Sequence, residues 1–230
     1  MLACSSAFPQ TCKCIHSTIK SFSPFAHAHY ILGRHPREWP YFHDIALYVS
    51  WLITSALRYP ITTLAVLKAL YSIILRSHSF LKGKYRIEPP KRLFRSLGES
   101  DATRDVNSDP LPILRFLWGK GTDFPVPQLV LLGPYPLECA VQAEFIPLVE
   151  FLLHHGAHRG WPDYSTVKVA IGKKNLKLVK MIIEDEDLSV IRRGGISVKH
   201  FLLDAAIECD ARDIVKYLME HMGAFHYLRT

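Results

Sequence analysis

The second half of the chain repeats one pattern of apolar and charged positions. Four segments each hold two apolar residues, a charged residue and three more apolar residues: LPILRFLW (111–118), IPLVEFLL (146–153), LKLVKMII (176–183) and RDIVKYLM (212–219). An apolar stripe with this spacing predicts an amphipathic helix in each segment. The third residues, taken as anchors, are Ile113, Leu148, Leu178 and Ile214, which lie 35, 30 and 36 residues apart.

A second helix is predicted before the anchor in the last three segments. Ala140, Ala170 and Ala206 each lie eight residues before an anchor, in LECAV, VKVAI and LDAAI. A small residue at a repeated position lets two helices approach closely, and eight residues leave room only for a tight turn. We therefore predict stacked pairs of antiparallel helices with the anchors in the core. The segment at 111–118 is degenerate, because Asp105 stands where the alanine would be.

This pattern resembles the ankyrin repeat, whose unit of about 33 residues holds two short helices and opens with T-P-L-H-x-A. YPLECA (135–140) agrees with that opening at Pro, Leu and Ala, and VEFLLHHGAH (149–158) is similar to the closing V-x-x-L-L-x-x-G-A-D of the family. Gly156 suits the left-handed cap that ends a second helix. The later units depart from the pattern, since Ser165-Thr166-Val167 stands in place of T-P-L. The resemblance implies an all-α, ankyrin-like α-solenoid of stacked antiparallel helix pairs.

Three regions follow from this pattern. Residues 1–40 are rich in Ser, His and Pro, hold no acidic residue before Glu38 and show no sustained period, which predicts a flexible N-terminal arm. An acid-poor, Ser-rich segment is also typical of a mitochondrial presequence, and this alternative stays open. We expect degenerate helical N-terminal repeats or a cap over 41–133. Ankyrin-like repeats and a C-terminal cap follow over 134–230, where polar residues of the last helix close the stack against water.

The most apolar region is 43–78. Its uncharged runs, 45–57 and 59–67, are separated by Arg58 and end at Lys68, and Pro60 breaks the helix between them. Both runs are shorter than the roughly 20 apolar residues that a membrane span needs. We predict two packed helices whose core residues are Trp51, Leu52, Leu64, Leu67, Leu70 and Ile74. The alternative is a membrane-associated adaptor anchored through these helices.

The charge and the cysteine content of the chain indicate which class of partner and which compartment to expect. The chain has 28 Lys and Arg residues and 21 Asp and Glu residues, which gives a net charge of only +7. The basic stretch 172–180 is followed by acidic residues at 184–187. Such a distribution does not favour a nucleic-acid partner. Five cysteines, an odd number, indicate no disulfide framework and favour a reducing, cytoplasmic compartment.

The sequence carries none of the common catalytic signatures. It contains no G-x-S-x-G, P-loop, H-E-x-x-H or complete G-x-G-x-x-G motif. His154 and His155 are adjacent on a predicted helix and point in different directions, so they are poor joint metal ligands. We expect a monomeric protein–protein interaction module without catalytic activity, cofactor or metal. An enzyme of unknown class is a less favoured alternative.

The resemblance also implies where a partner would bind. In the ankyrin family, partners contact the turns before the first helices and the inner face of those helices. The matching positions before the first helices are Leu132, Pro134, Trp161, Tyr164 and His200, and those on the first helices are Gln142, Gly172, Lys173, Glu208 and Cys209. Trp161 and Tyr164 belong to the residue types that anchor protein interfaces. The alternatives are that these two aromatic residues cap the stack and that Lys173 is a solvated charge.

Overall fold

The computed structural model describes residues 21–35, 45–77, 86–95, 97, 109–118, 128–129, 133–157, 164–184 and 195–222. Apart from one parallel pairing of two short strands, the regular elements among these residues are all helices, so the prediction of an all-α fold class is confirmed for them. The elements are α1 (Pro24–Arg34), α2 (Ile45–Ala56), α3 (Leu64–Ser77), β1 (Arg86–Ile87), α4 (Arg92–Arg95), α5 (Leu111–Trp118), β2 (Gln128–Leu129), α6 (Tyr135–Gln142), α7 (Ile146–His154), α8 (Ser165–Gly172), α9 (Leu176–Glu184), α10 (Gly195–Glu208) and α11 (Arg212–Met222).

The chain divides into two compact units. The first unit comprises Met1–Pro90 and Pro112–Val130, and the second comprises Lys91–Leu111 and Leu131–Thr230. The short helix α4 belongs to the second unit, where it packs against α6.

Helix α1 corrects the prediction of a flexible arm over 1–40. The Ser23 hydroxyl accepts a hydrogen bond from the Ala26 N–H at 3.2 Å, and Pro24 occupies the first turn, so both helix-start signals are present. Ala28 and Ile31 are buried, and α1 packs along α3. The prediction is wrong over 24–34, because this short apolar stripe has a partner to cover it. The rest of the arm, 1–20 and 36–40, lies outside the described residues, and nothing tests the presequence alternative.

The apolar region 43–78 forms two helices, as predicted. Helices α2 and α3 are separated by residues 57–63, which contain Pro60. The Thr62 hydroxyl donates to the Ala56 carbonyl at 2.6 Å and closes this turn. Four of the predicted core residues are buried, namely Leu52, Leu67, Leu70 and Ile74, whereas Trp51 and Leu64 are half-buried. No helix in the described part of the chain is both long and apolar enough to cross a membrane.

Three helix pairs form the body of the second unit. Helix α6 contacts α7, α8 contacts α9, and α10 contacts α11. The first helices also contact one another in the order α6, α8, α10, and the second helices in the order α7, α9, α11. The repeated positions are buried in all three pairs: Ala140, Ala170 and Ala206 in the first helices, and Leu148, Leu178 and Ile214 in the second. The register predicted from the alanine-to-anchor spacing is therefore confirmed.

The same turn closes each pair. The carbonyl oxygens of Ala140, Ala170 and Ala206 accept hydrogen bonds from the N–H groups five residues later, at 3.0, 3.2 and 3.0 Å. The residue four after each alanine adopts a left-handed conformation, which glycine usually occupies at such helix ends. Here these residues are Glu144 (φ 51°), Lys174 (φ 54°) and Asp210 (φ 49°). All three turns thus place a charged side chain at a strained backbone position.

Gly156 forms the left-handed cap that the sequence predicts. Its φ is 72°, its N–H donates to the Leu153 carbonyl at 2.9 Å, and the Ala157 N–H donates to the Leu152 carbonyl at 2.9 Å. This arrangement satisfies carbonyl groups at the end of α7. The prediction for this residue is confirmed.

Candidate protein-interaction surfaces

Three equivalent positions at the ends of the first helices are exposed. Gln142, Gly172 and Glu208 each lie two residues after a repeated alanine. Because α6, α8 and α10 contact one another in order, equivalent positions follow each other across the stack. We call these three residues the first-helix row. Lys173 is adjacent to the row and half-buried.

The remaining predicted contact residues fall into different environments. Tyr164 is a correction: its side chain is only 2% exposed, and it stands in a left-handed conformation (φ 49°) directly before α8. A side chain this buried has no free surface for a partner, so the packing alternative applies to it. Pro134, His200 and Cys209 are half-buried. Leu132 and Trp161 lie outside the described residues.

Asn175 joins the first helix pair to the second. Its side-chain Nδ2 donates to Glu144 Oε2 at 3.1 Å, and its Oδ1 accepts from the Leu178 N–H at 3.2 Å. One side chain therefore caps the start of α9 and also holds the turn of the preceding pair. The sequence signal for the cap was an Asn three residues before an anchor, whereas the contact with Glu144 has no local signal.

Polar and aromatic side chains also join the second pair to the third. The Tyr217 hydroxyl donates to Glu184 Oε1 at 3.1 Å, and the Lys180 ammonium lies 5.2 Å from the centre of the Tyr217 ring. Burial, together with the hydrogen bond to Glu184, raises the pKa of Tyr217 to about 12. The Lys168 ammonium lies 3.7 Å from the centre of the Phe201 ring, a cation–π contact between α8 and α10.

A groove of about 460 Å³ runs along the last pair. We call it the end groove; its lining is Ala206, Ile207, Asp210, Ala211, Arg212, Val215, Lys216, Met219 and Glu220. Ile207 is 56% exposed, and Val215 and Met219 are half-buried. The polar residues of α11 face solvent as predicted, and Arg212 Nε pairs with Asp210 Oδ1 at 3.3 Å. Among the described residues, they do not cover the apolar floor of the groove, which lies beside them.

Burial shifts the pKa of side chains in the first helix pair. Burial raises the pKa of the Cys139 thiol, and burial lowers the pKa of the His155 imidazole. The rings of His154 and His155 lie 5.1 Å apart, centre to centre, at an angle of 74°. Among the residues that the structure describes, no group of three His, Cys, Asp or Glu side chains is placed to hold a metal ion.

Comparison with known proteins adds no relative. No family model, curated protein or solved structure matches the chain.

Proposed function

We propose that this protein is a protein-recognition module without catalytic activity, built as an ankyrin-like α-solenoid. In this proposal the first-helix row and the adjacent Lys173 contact a protein partner. The observation that carries the proposal is the repetition within the second unit. Three helix pairs share the buried alanine, the buried anchor and the same closing turn, and they contact one another in chain order. Stacked pairs of this kind offer an extended surface for binding.

A comparison of the pairs with one another supports the choice of surface. At the buried positions the pairs agree: the first helix has alanine in every pair, and the anchor is Leu, Leu or Ile. At the exposed row they differ in chemistry, with an amide at Gln142, no side chain at Gly172 and a carboxylate at Glu208. Packing therefore sets the common positions, and the row is free to vary with the partner.

The membrane-associated alternative receives less support. The apolar side chains of α2 and α3 that would meet lipid are largely covered inside the first unit, where Leu52, Leu67 and Leu70 are fully buried. Leu47, at 55% exposure, is the large apolar side chain of α2 and α3 that stands out among the described residues. A single exposed leucine is ordinary for a protein surface and does not require a lipid partner.

The test compares capture of proteins from native lysate by three full-length baits. The row variant carries Gln142→Arg, Lys173→Glu and Glu208→Arg. The control variant carries Glu150→Gln, Lys177→Glu and Asp213→Arg, which are exposed positions on the second helices. Both sets change the net charge equally, so a difference in the captured proteins reflects where the substitutions lie and not the net charge.

We expect at least one protein to be retained by wild type and control and lost from the row variant, as quantified by mass spectrometry after cross-linking. Circular dichroism establishes that each bait keeps its helical content. Identical captures by both variants would remove the row as a recognition surface. Capture of membrane components alone by all three baits would favour the alternative based on 43–78.

A further inference from the structure

Each helix pair of the second unit carries the same three apolar positions. The first pair has Val141, Val149 and Leu153, the second has Ile171, Val179 and Ile183, and the third has Ile207, Val215 and Met219. One position follows the repeated alanine, and the other two lie one and five residues after the anchor. In the first two pairs, all six side chains are buried. In the third pair, the same positions form the floor of the end groove.

In each pair these three apolar positions form one face, and the contacts within the chain show which helices cover it in the first two pairs. Helices α8 and α9 pack against α6 and α7, and α10 and α11 pack against α8 and α9. The face is thus buried in each pair that has a described pair after it, and it is only partly covered in α10 and α11. What fits this face is therefore another pair of helices with an aliphatic surface.

The charges around the end groove indicate which helices these are. The rim carries two acidic residues, Asp210 and Glu220, and two basic residues, Arg212 and Lys216. A two-fold contact between identical surfaces brings every rim residue of one copy to the same rim of the other. Balanced signs permit opposite charges to meet across such a contact, whereas a rim of one sign would repel its copy.

We propose that the end groove is a self-association surface, on which the last helix pair of a second copy of this chain covers Ile207, Val215 and Met219. The dimer covers this face with a pair of helices, as the chain itself does, but it joins two copies of the same face, whereas opposite faces meet within the chain. It replaces the expectation of a monomer drawn from the sequence. The self-association proposal does not depend on the first-helix row, because Gln142, Gly172 and Glu208 do not line the end groove.

The experiment is sedimentation equilibrium of the full chain, from about 1 μM to about 200 μM, a range that covers contacts of moderate affinity. The groove variants are Ile207→Asp and, separately, Met219→Lys. The control is Leu47→Asp on α2, since Leu47 is 55% exposed, close to the 56% of Ile207, and does not line the groove. Circular dichroism verifies the helical content of all four proteins.

We expect a monomer–dimer equilibrium for wild type and control. The dissociation constant should be at least about tenfold higher in each folded groove variant, because a charged side chain buried in the contact without a partner weakens binding by at least that factor. A wild-type protein that stays monomeric overturns the proposal, as does a dimer that both groove variants leave unchanged. If wild type is monomeric and a chain truncated after Met222 dimerises, residues 223–230 cover the groove, and the proposal is also overturned.

Discussion

Two adjacent lysines after α8 offer a sharp test of the turn geometry. Lys173 has φ −77° and ψ −6°, which is a helical conformation, whereas Lys174 has φ 54°. The side chain of Lys174 is exposed. The other two left-handed turn residues are less suitable, because Glu144 accepts a hydrogen bond from Asn175 and Asp210 pairs with Arg212. Replacing each lysine by glycine therefore compares two backbone conformations with the same chemical change.

The expected free-energy changes have opposite signs. A residue with a side chain costs roughly 1–2 kcal/mol in the left-handed conformation, and glycine relieves that cost. Glycine in turn gains freedom in the unfolded chain, which destabilises the folded state by about 0.5–1 kcal/mol. Lys174→Gly should therefore raise the free energy of unfolding by about 0.5–1 kcal/mol. Lys173→Gly has no strain to relieve and should lower it by about 0.5–1 kcal/mol.

The assay is urea unfolding of the full chain, followed by far-ultraviolet circular dichroism at constant protein concentration. An unchanged slope with a shifted midpoint identifies a change in stability and not in the extent of unfolding. Thermal unfolding gives a second measure, since 1 kcal/mol corresponds to about 2–4 °C in a chain of this size. Equal loss of stability in both variants would refute the left-handed turn at Lys174 and, with it, the equivalence of the three turns.

Four further predictions concern the core, a cap and a buried tyrosine. Leu148→Ala should cost about 2–5 kcal/mol in the same urea assay, and a loss below roughly 0.5 kcal/mol would contradict the core register. Gly156→Ala should lower the free energy of unfolding by about 1 kcal/mol, because alanine is strained in the left-handed conformation. The added Cβ meets no atom within 4 Å, so no clash adds to this cost, and an unchanged midpoint would contradict the left-handed cap. Tyr217 has a pKa of about 12 in the folded state against an ordinary value of 10.0, so the unfolded state loses its proton first and stability should fall as the pH rises between these values. Glu184→Gln should lower the pKa of Tyr217, measured as the absorbance difference between the variant and its Tyr217→Phe derivative, and an unchanged pKa would exclude a role for the carboxylate.

The sequence predicted the packing of the second unit because packing is periodic there. Alanine eight residues before each anchor reports a close helix approach, and the side chains at both positions are buried in all three pairs. Gly156 was predictable for a similar reason, since glycine after an apolar helix commonly marks a left-handed cap. The two-helix interpretation of 43–78 followed from Pro60 and from the charges that interrupt the apolar runs.

Other features had no periodic signal or a misleading one. Helix α1 was missed because its apolar stripe is short and interspersed with histidines, although Ser23 and Pro24 mark its start. Tyr164 is buried and has a left-handed backbone, and neither feature is suggested by an aromatic residue in a predicted loop. The end groove was not predicted either. Ile207 looks like its equivalents Val141 and Ile171 in the sequence, and only the order of packing distinguishes it.

The order of packing also has a consequence for how the second unit opens. The pair α8 and α9 is held by neighbours on both sides, whereas α10 and α11 contact one described pair. In stacks where each pair touches only its neighbours, local unfolding starts at a pair held by one interface and spreads inward. Amide hydrogens of α11 should therefore exchange with solvent before those of α8. The loosest part of the unit is then the part that carries the end groove, so occupation of the groove would slow the opening of the unit.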